Sequence, residues 1–335
     1  MREETAVPPV IDTHAHFVPA YFPAGSGRTP LWPAMEHRAD GQAAIVIGGK
    51  PFRVLTPANW DVPARLAEMT AQGIDRQVLS PMPELLSHWF PADDADDLCR
   101  YMNDSLAAMI AAAPDRLSGI GMVPVQDPAR ATRRLAEIKA LGLRGIELGS
   151  HVDGVALGDP RFDELYATAE DLDLCLMIHP LHPAGKDRLP GHPALAAAAA
   201  FPLDTALAGA SLLSAGIPAR FPRLRIMLCH GGGALPWILP RLDRVWSLGG
   251  PLGAVFPERP SAMARRFFYD SVVYDPVTLR YIADALGEDR IVIGSDFPFV
   301  IQQDQPGDFA AGVLPAAALS RAALAFLGLP AEHGG

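Results

Sequence analysis

Cysteine is scarce in this chain. Its 335 residues contain only Cys99, Cys175 and Cys229. That count excludes a disulfide framework and a CxxC zinc site. Cys175 and Cys229 fall inside apolar runs, where a thiol serves as a small core hydrophobe in a reducing, cytoplasmic compartment. Basic clusters are missing as well. No run of Lys or Arg exceeds a pair, the formal net charge is -10 and the pI is about 5.4, which argues against nucleic acid as a partner. No uninterrupted apolar stretch reaches the roughly 18 residues that mark a membrane span. The acidic start Met1-Arg2-Glu3-Glu4-Thr5 has no apolar segment behind it, so a secretory signal is not expected. A GxGxxG fingerprint after the first strand is also absent, which weakens a dinucleotide-binding reading.

What is present is a steady alternation of strand-like and helix-like segments. Strands are expected at 8–14, 74–80, 118–124, 143–149, 174–179, 224–230, 267–272 and 291–296, with helical spacing at 62–72, 92–113, 128–141, 160–172, 234–248 and 276–286. The acidic run 93–97 suits the positive end of a helix dipole, and Pro128 suits a first helical turn. Eight strands in this rhythm predict an α/β fold, a closed (β/α)8 TIM barrel spanning 1–335 as a single unit, rather than an open doubly wound sheet. Two segments break the rhythm. Segment 17–60 is a small insertion after strand one, with a hairpin expected around Ala44 to Val54. Segment 181–200 is a second long loop and is expected to shape the substrate pocket.

Five polar residues close the apolar runs. His14 and His16 end strand one, His179 ends strand five, His230 ends strand six and Asp296 ends strand eight. Each histidine taken singly reads as a satisfied or exposed residue. Together at strand C-termini they are what a catalytic metal site on a barrel needs. Side chains alternate along a strand, so His14 and His16 can reach one ion. Imidazoles with one carboxylate favour zinc among divalent metals.

Ile11-Asp12-Thr13-His14-Ala15-His16, His179-Pro180, His230-Gly231-Gly232-Gly233-Ala234-Leu235-Pro236 and Gly294-Ser295-Asp296-Phe297-Pro298-Phe299 resemble the amidohydrolase superfamily. More narrowly they resemble the branch of aminocarboxymuconate semialdehyde decarboxylase and related aromatic-acid decarboxylases. Phe52-Arg53-Val54, Asn59-Trp60-Asp61 and Tyr269-Asp270-Ser271 extend the likeness over most of the chain. The resemblance implies that His14, His16, His179 and Asp296 hold one divalent metal with a bound water, with His230 beside it as proton carrier. Some members carry Glu at the first motif position and use manganese; His14 here tilts the metal toward zinc. The implied reaction is non-oxidative decarboxylation of an unsaturated or aromatic carboxylic acid. Arg53 matches a substrate-carboxylate arginine, and Arg241 matches one supplied by the neighbouring subunit, with Arg244 one turn away as its competitor. If Arg241 acts in trans, the active unit is a homodimer.

The main rival is a metal-dependent hydrolase of a lactone, amide or ester, or a hydratase, of the same superfamily. Binuclear hydrolases need a carboxylated lysine on strand four, and Leu143-Arg144-Gly145-Ile146-Glu147-Leu148 offers none. The ordinary reading is kept for the other histidines: His182 as a solvated loop residue, and His37, His88, His151, His192 and His333 as lacking companions at strand ends. Trp60 and Trp89 read as packing beneath the first loops at least as readily as substrate contacts. The 181–200 loop departs from the family pattern, which leaves the substrate unnamed.

Overall fold

The computed structural model describes residues 8–189, 191 and 194–330; His192 and His333 lie outside them. Eight parallel strands form the centre: β1 (Ile11–Phe17), β2 (Arg76–Pro81), β3 (Leu117–Gly119), β4 (Gly145–Gly149), β5 (Cys175–His179), β6 (Ile226–Leu228), β7 (Phe268–Asp270) and β8 (Ile291–Val292). Hydrogen bonds join β1, β2 and β3 in one run and β4 through β8 in another. Single bridges at Gly121–Ile146, Asp12–Ile293 and Ala15–Phe297 close the two runs into a ring. The expected barrel is therefore the observed one. Several strands are shorter than expected because the ladder ends where the backbone turns outward. His230 follows β6 in a single tight turn, and Asp296 lies beyond β8.

The helices between the strands start where sequence chemistry says they should. Helices α1 (Val62–Ala71), α2 (Ala92–Ala112), α3 (Pro128–Ala140), α4 (Asp163–Asp171), α5 (Phe201–Ser214), α6 (Leu235–Ser247), α7 (Pro276–Leu286) and α8 (Ala316–Leu327) surround the ring. Asp61, Asp127 and Asp275 cap α1, α3 and α7, each side chain accepting from a backbone N–H three residues on, with Pro in the first turn of all three. Acidic Asp93 and Asp94 sit in the first turn of α2 as expected.

Two apolar regions result. Ile11, Val78, Ile120, Cys175, Met177, Met227, Cys229, Phe268 and Val292 form one cluster from the strands, which Phe326 and Leu327 of α8 join. The larger cluster lies between the strands and the surrounding helices. All three cysteines are buried and free. The segment Ala196–Ser214 is long and apolar enough by composition to cross a membrane; here Ala206, Ala208, Leu212 and Leu213 of α5 are buried in the core.

The 17–60 insertion is a three-stranded antiparallel sheet, Ala34–His37, Ala43–Ile47 and Lys50–Leu55. Its second turn uses Gly48 and Gly49, both with positive φ, the requirement of a two-residue hairpin turn. The expected hairpin thus gains a third strand, and the last strand carries Arg53.

Candidate active site

Strand one delivers both histidines of the His-x-His pair to one place. Its register with β2 shifts between Asp12 and Ala15, and the two Nε2 atoms lie 3.1 Å apart. Asp296 supplies the centre of the group. Its Oδ1 is 3.3 Å from His14 Nε2, 3.2 Å from His16 Nε2 and 3.8 Å from His179 Nε2, and its Oδ2 is 3.5 Å from His230 Nε2. The five residues singled out in the sequence thus converge on one point. Donor atoms of His14, His179, His230 and Asp296 all lie within 4.8 Å of one another.

The donor set fits a divalent metal. His179 Nε2 and His230 Nε2 are buried and have no hydrogen-bond partner among the described residues, although orphaned buried polar atoms are rare. Burial pushes the His16 imidazole down to about 4 and that of His179 to about 3, so both offer neutral nitrogens, the form that ligates metal. Asp296 lies well below the carboxylate range: burial opposes this, but the four imidazoles of His14, His16, His179 and His230 around it outweigh it.

The backs of three rings are fixed. His14 Nδ1 donates to Asp270 Oδ2 at 2.6 Å, His16 Nδ1 to the Pro81 carbonyl at 2.9 Å and His179 Nδ1 to the Pro180 carbonyl at 2.9 Å. Anchoring of this kind sets the tautomer of a metal-binding histidine and aims its free nitrogen inward. His230 differs, because its ring nitrogens have no hydrogen-bond partner among the described residues and its side chain is 12% exposed, against 0–3% for the other three. The backbone holds it instead. His230 N and Gly231 N donate to Asp270 at 2.9 Å each, and His230 adopts a φ of 56°, as Asp296 adopts 60°. Non-glycine residues in that region are uncommon and cluster at functional sites.

Three supporting residues carry no assignment from the sequence. Asp270, at the end of β7, ties His14 to the His230 turn. Asp12 accepts from His14 N, Ser295 N, Ser295 Oγ and Gln77 Nε2 at 2.6–3.1 Å, stitching β8, β1 and β2 together. Arg65 of α1 is completely buried, and its Nη2 donates to the His16 carbonyl at 2.7 Å. Gly294 matters for space: a Cβ there would come within 2.9 Å of Asp270 Cβ and 3.0 Å of His14 Cβ. The signal for Asp270 was available, since it ends the apolar run Phe267-Phe268-Tyr269 just as Asp296 ends its own.

Glu147 of β4 is a further buried carboxyl. Both its oxygens are buried without a hydrogen-bond partner among the described residues, and burial raises the group to about 8.

Arg53 reaches the site through an aromatic relay. Its guanidinium lies 4.3 Å from the Phe299 ring centre, and that ring is 5.0 Å from the His16 ring. No carboxylate pairs with Arg53 among the described residues. Arg241 and Arg244 are not brought to the site: both are exposed on α6, and Arg244 donates weakly to Ser247 Oγ. Three of the other histidines have definite partners. His182 is not simply solvated, since its Nε2 meets Glu84 Oε1 at 3.1 Å and its ring lies 4.2 Å from that of Trp89. His151 Nε2 donates to the His182 carbonyl at 3.1 Å, and His88 is buried beside Gly149 at the end of β4. His37 and Trp60 pack on each other within the insertion.

The sequence model of the amidohydrolase family matches residues 11–328. Among curated proteins, 2-amino-3-carboxymuconate-6-semialdehyde decarboxylase of Dictyostelium discoideum is 33% identical over 301 residues, covering 89% of this chain and 84% of that protein. Gamma-resorcylate decarboxylase of Rhodococcus jostii is 30% identical over 251 residues, 70% of this chain and 76% of that protein. Among solved structures, 5-carboxyvanillate decarboxylase of Sphingomonas paucimobilis aligns with a TM-score of 0.79 at 26% identity, covering 96% of this chain and 99% of the other. This chain belongs to the amidohydrolase family and is aminocarboxymuconate semialdehyde decarboxylase-like.

Proposed function

We propose that the protein is a metal-dependent, non-oxidative decarboxylase of an unsaturated or aromatic carboxylic acid, working as one barrel unit in the cytoplasm. His14, His16, His179 and Asp296 would hold a single divalent cation, with zinc favoured over manganese by the three imidazoles. Such a cation supplies Lewis acidity and charge stabilisation. The observation that carries the reading is Arg53. A part-buried guanidinium without an acidic partner among the described residues, held over Phe299 beside the metal group, is a seat for a substrate carboxylate.

The chain's own residues then divide the work. Arg53 binds and orients the acid, and Phe299 offers a flat face for a conjugated or aromatic body. Loss of CO2 leaves an electron pair on the carbon that bore it. His230 is suited to bring a proton to that carbon, because its ring is not anchored from behind and is partly exposed, while the other three are anchored and buried. The sum is a carboxylate plus a proton giving CO2 and a C–H bond. Strand four, Gly145–Gly149, carries no lysine of the kind a binuclear hydrolase needs, which disfavours the hydrolase reading. The named relatives are decarboxylases.

Arg241 completes the proposal if the active unit is a homodimer. It is exposed, has no partner among the described residues and shares α6 with Trp237, which is 77% exposed. Trp237 packs on Tyr281 of α7, itself 39% exposed, an exposed aromatic pair of the kind found at interfaces. The direct test is CO2 release by zinc-loaded protein across unsaturated and hydroxylated aromatic carboxylates. Release of an acid or amine without CO2 would transfer the assignment to a hydrolase. Mixing His230→Asn and Arg241→Ala chains should restore activity if Arg241 serves the neighbouring site; no restoration would place it elsewhere.

A further inference from the structure

A second polar group stands on the rim of the same barrel mouth. Glu84 lies in the turn Pro83–Leu86 that follows β2, and His182 lies three residues past β5, so both project from strand C-terminal ends, the face that carries the metal group. The pair is built rather than incidental. Glu84 Oε1 meets His182 Nε2 at 3.1 Å. The imidazole lies 4.2 Å from the Trp89 ring at an interplanar angle of 33°. His182 takes a φ of 50°, an uncommon conformation for a residue with a side chain, and the bond from His151 Nε2 to its carbonyl holds the turn. The second oxygen of Glu84 has no partner among the described residues, and its side chain is 20% exposed. Arg53, stacked on the Phe299 ring that touches His16, also feels the charges of both Asp296 and Glu84.

We infer that Glu84 and His182, backed by Trp89, are specificity-determining residues that receive a second substituent of the substrate, a hydroxyl or amino hydrogen-bond donor. The inference rests on Arg53 receiving the carboxylate that is lost. Glu84 then offers an acceptor oxygen to a donor on the far side of the molecule. The same negative charge repels a second carboxylate, so the subsite selects by attraction and by exclusion. A site built to hydrogen-bond a substrate group discriminates strongly against the analogue that lacks it. Trp89 adds a planar wall beneath.

Binding to the zinc-loaded protein tests this without requiring turnover. The probes are benzoate, 3- and 4-hydroxybenzoate, 3- and 4-aminobenzoate, and benzene-1,3- and 1,4-dicarboxylate, measured by calorimetry. The wild type should bind the better-placed hydroxy and amino isomers about tenfold tighter than benzoate, and both dicarboxylates about tenfold weaker, the scale of one hydrogen bond to a charged group. Glu84→Gln should erase both differences, Glu84→Lys should favour the dicarboxylates, and Arg53→Ala should weaken every probe alike. A purely structural pair would shift all probes by one factor in Glu84→Gln, and that result would overturn the inference, as would equal affinities in the wild type or no binding of any probe. Selective binding with no CO2 from any carboxylate would leave the subsite standing and remove the decarboxylase reading instead.

Discussion

The strand ends and the rim of this barrel are built on opposite terms. At the strand ends, the functional side chains sit on the ladder or within a few residues of it, and three of four imidazoles are pinned from behind by a carbonyl or by Asp270. At the rim, Arg53 sits on an inserted sheet and packs on Phe299, and His182 sits on a long loop and packs on Glu84 and Trp89. The rigid part suits chemistry that demands fixed distances; the rim suits recognition, which loops vary without disturbing the ring. The contrast predicts that strand-end substitutions damage metal binding and catalysis, whereas rim substitutions alter which acid is taken.

The largest effect should come from Asp296→Ala. It removes the carboxylate on which all four histidines converge, so metal analysis should find the ion lost, with activity down by about a thousandfold or more. Asp270→Asn comes next. It leaves all five site residues in place but weakens the anchor behind His14, and metal affinity measured by competition with a chelator should fall by about 10- to 100-fold. A rim change should behave differently: Arg53→Ala should keep the metal and lower kcat/KM by about 30-fold, mainly through KM. An equal loss in kcat alone would mean that Arg53 acts on the transition state.

The smallest effect concerns Glu147 and stability alone. Its carboxyl is raised from 4.5 to about 8 by burial, so the folded chain holds a proton there that the unfolded chain releases. The stabilisation is complete below about 4.5 and is lost as the pH rises through 8. In chelator-treated protein, Glu147→Gln should therefore reduce the fall in Tm between pH 5.5 and 8.5 by a few degrees. An unchanged pH dependence would mean that the carboxyl ionises freely.

The same contrast explains what was legible in the sequence. The eight strands and the five strand-end residues follow from local patterns: a short branched apolar run marks a buried strand, and the polar residue closing it marks the barrel mouth. Asp270 obeys the same rule and needed only its consistent application. The insertion was recognisable by its break in rhythm and its Gly48-Gly49 turn. Strand six proved to be Ile226–Leu228 because the chain turns at Cys229 and His230, a conformational detail that periodicity does not encode. Glu147 announced itself weakly, as a charge alternating with Ile146 and Leu148. Arg65 was hidden in an ordinary amphipathic helix, where its reach to the His16 carbonyl depends on how α1 packs. His182 was the clearest failure. Its partner Glu84 is 98 residues away in the chain, and no local pattern joins two loops that only barrel closure brings together.

The central claim is that one residue of the converging five is not a ligand. Metal content and CO2 release measured together on His230→Asn decide it. His230→Asn should hold about one divalent ion per chain, as in the wild type, with turnover reduced by roughly 10²- to 10⁴-fold, the usual contribution of a proton carrier. Loss of the metal from His230→Asn, or retention of full activity, would contradict it.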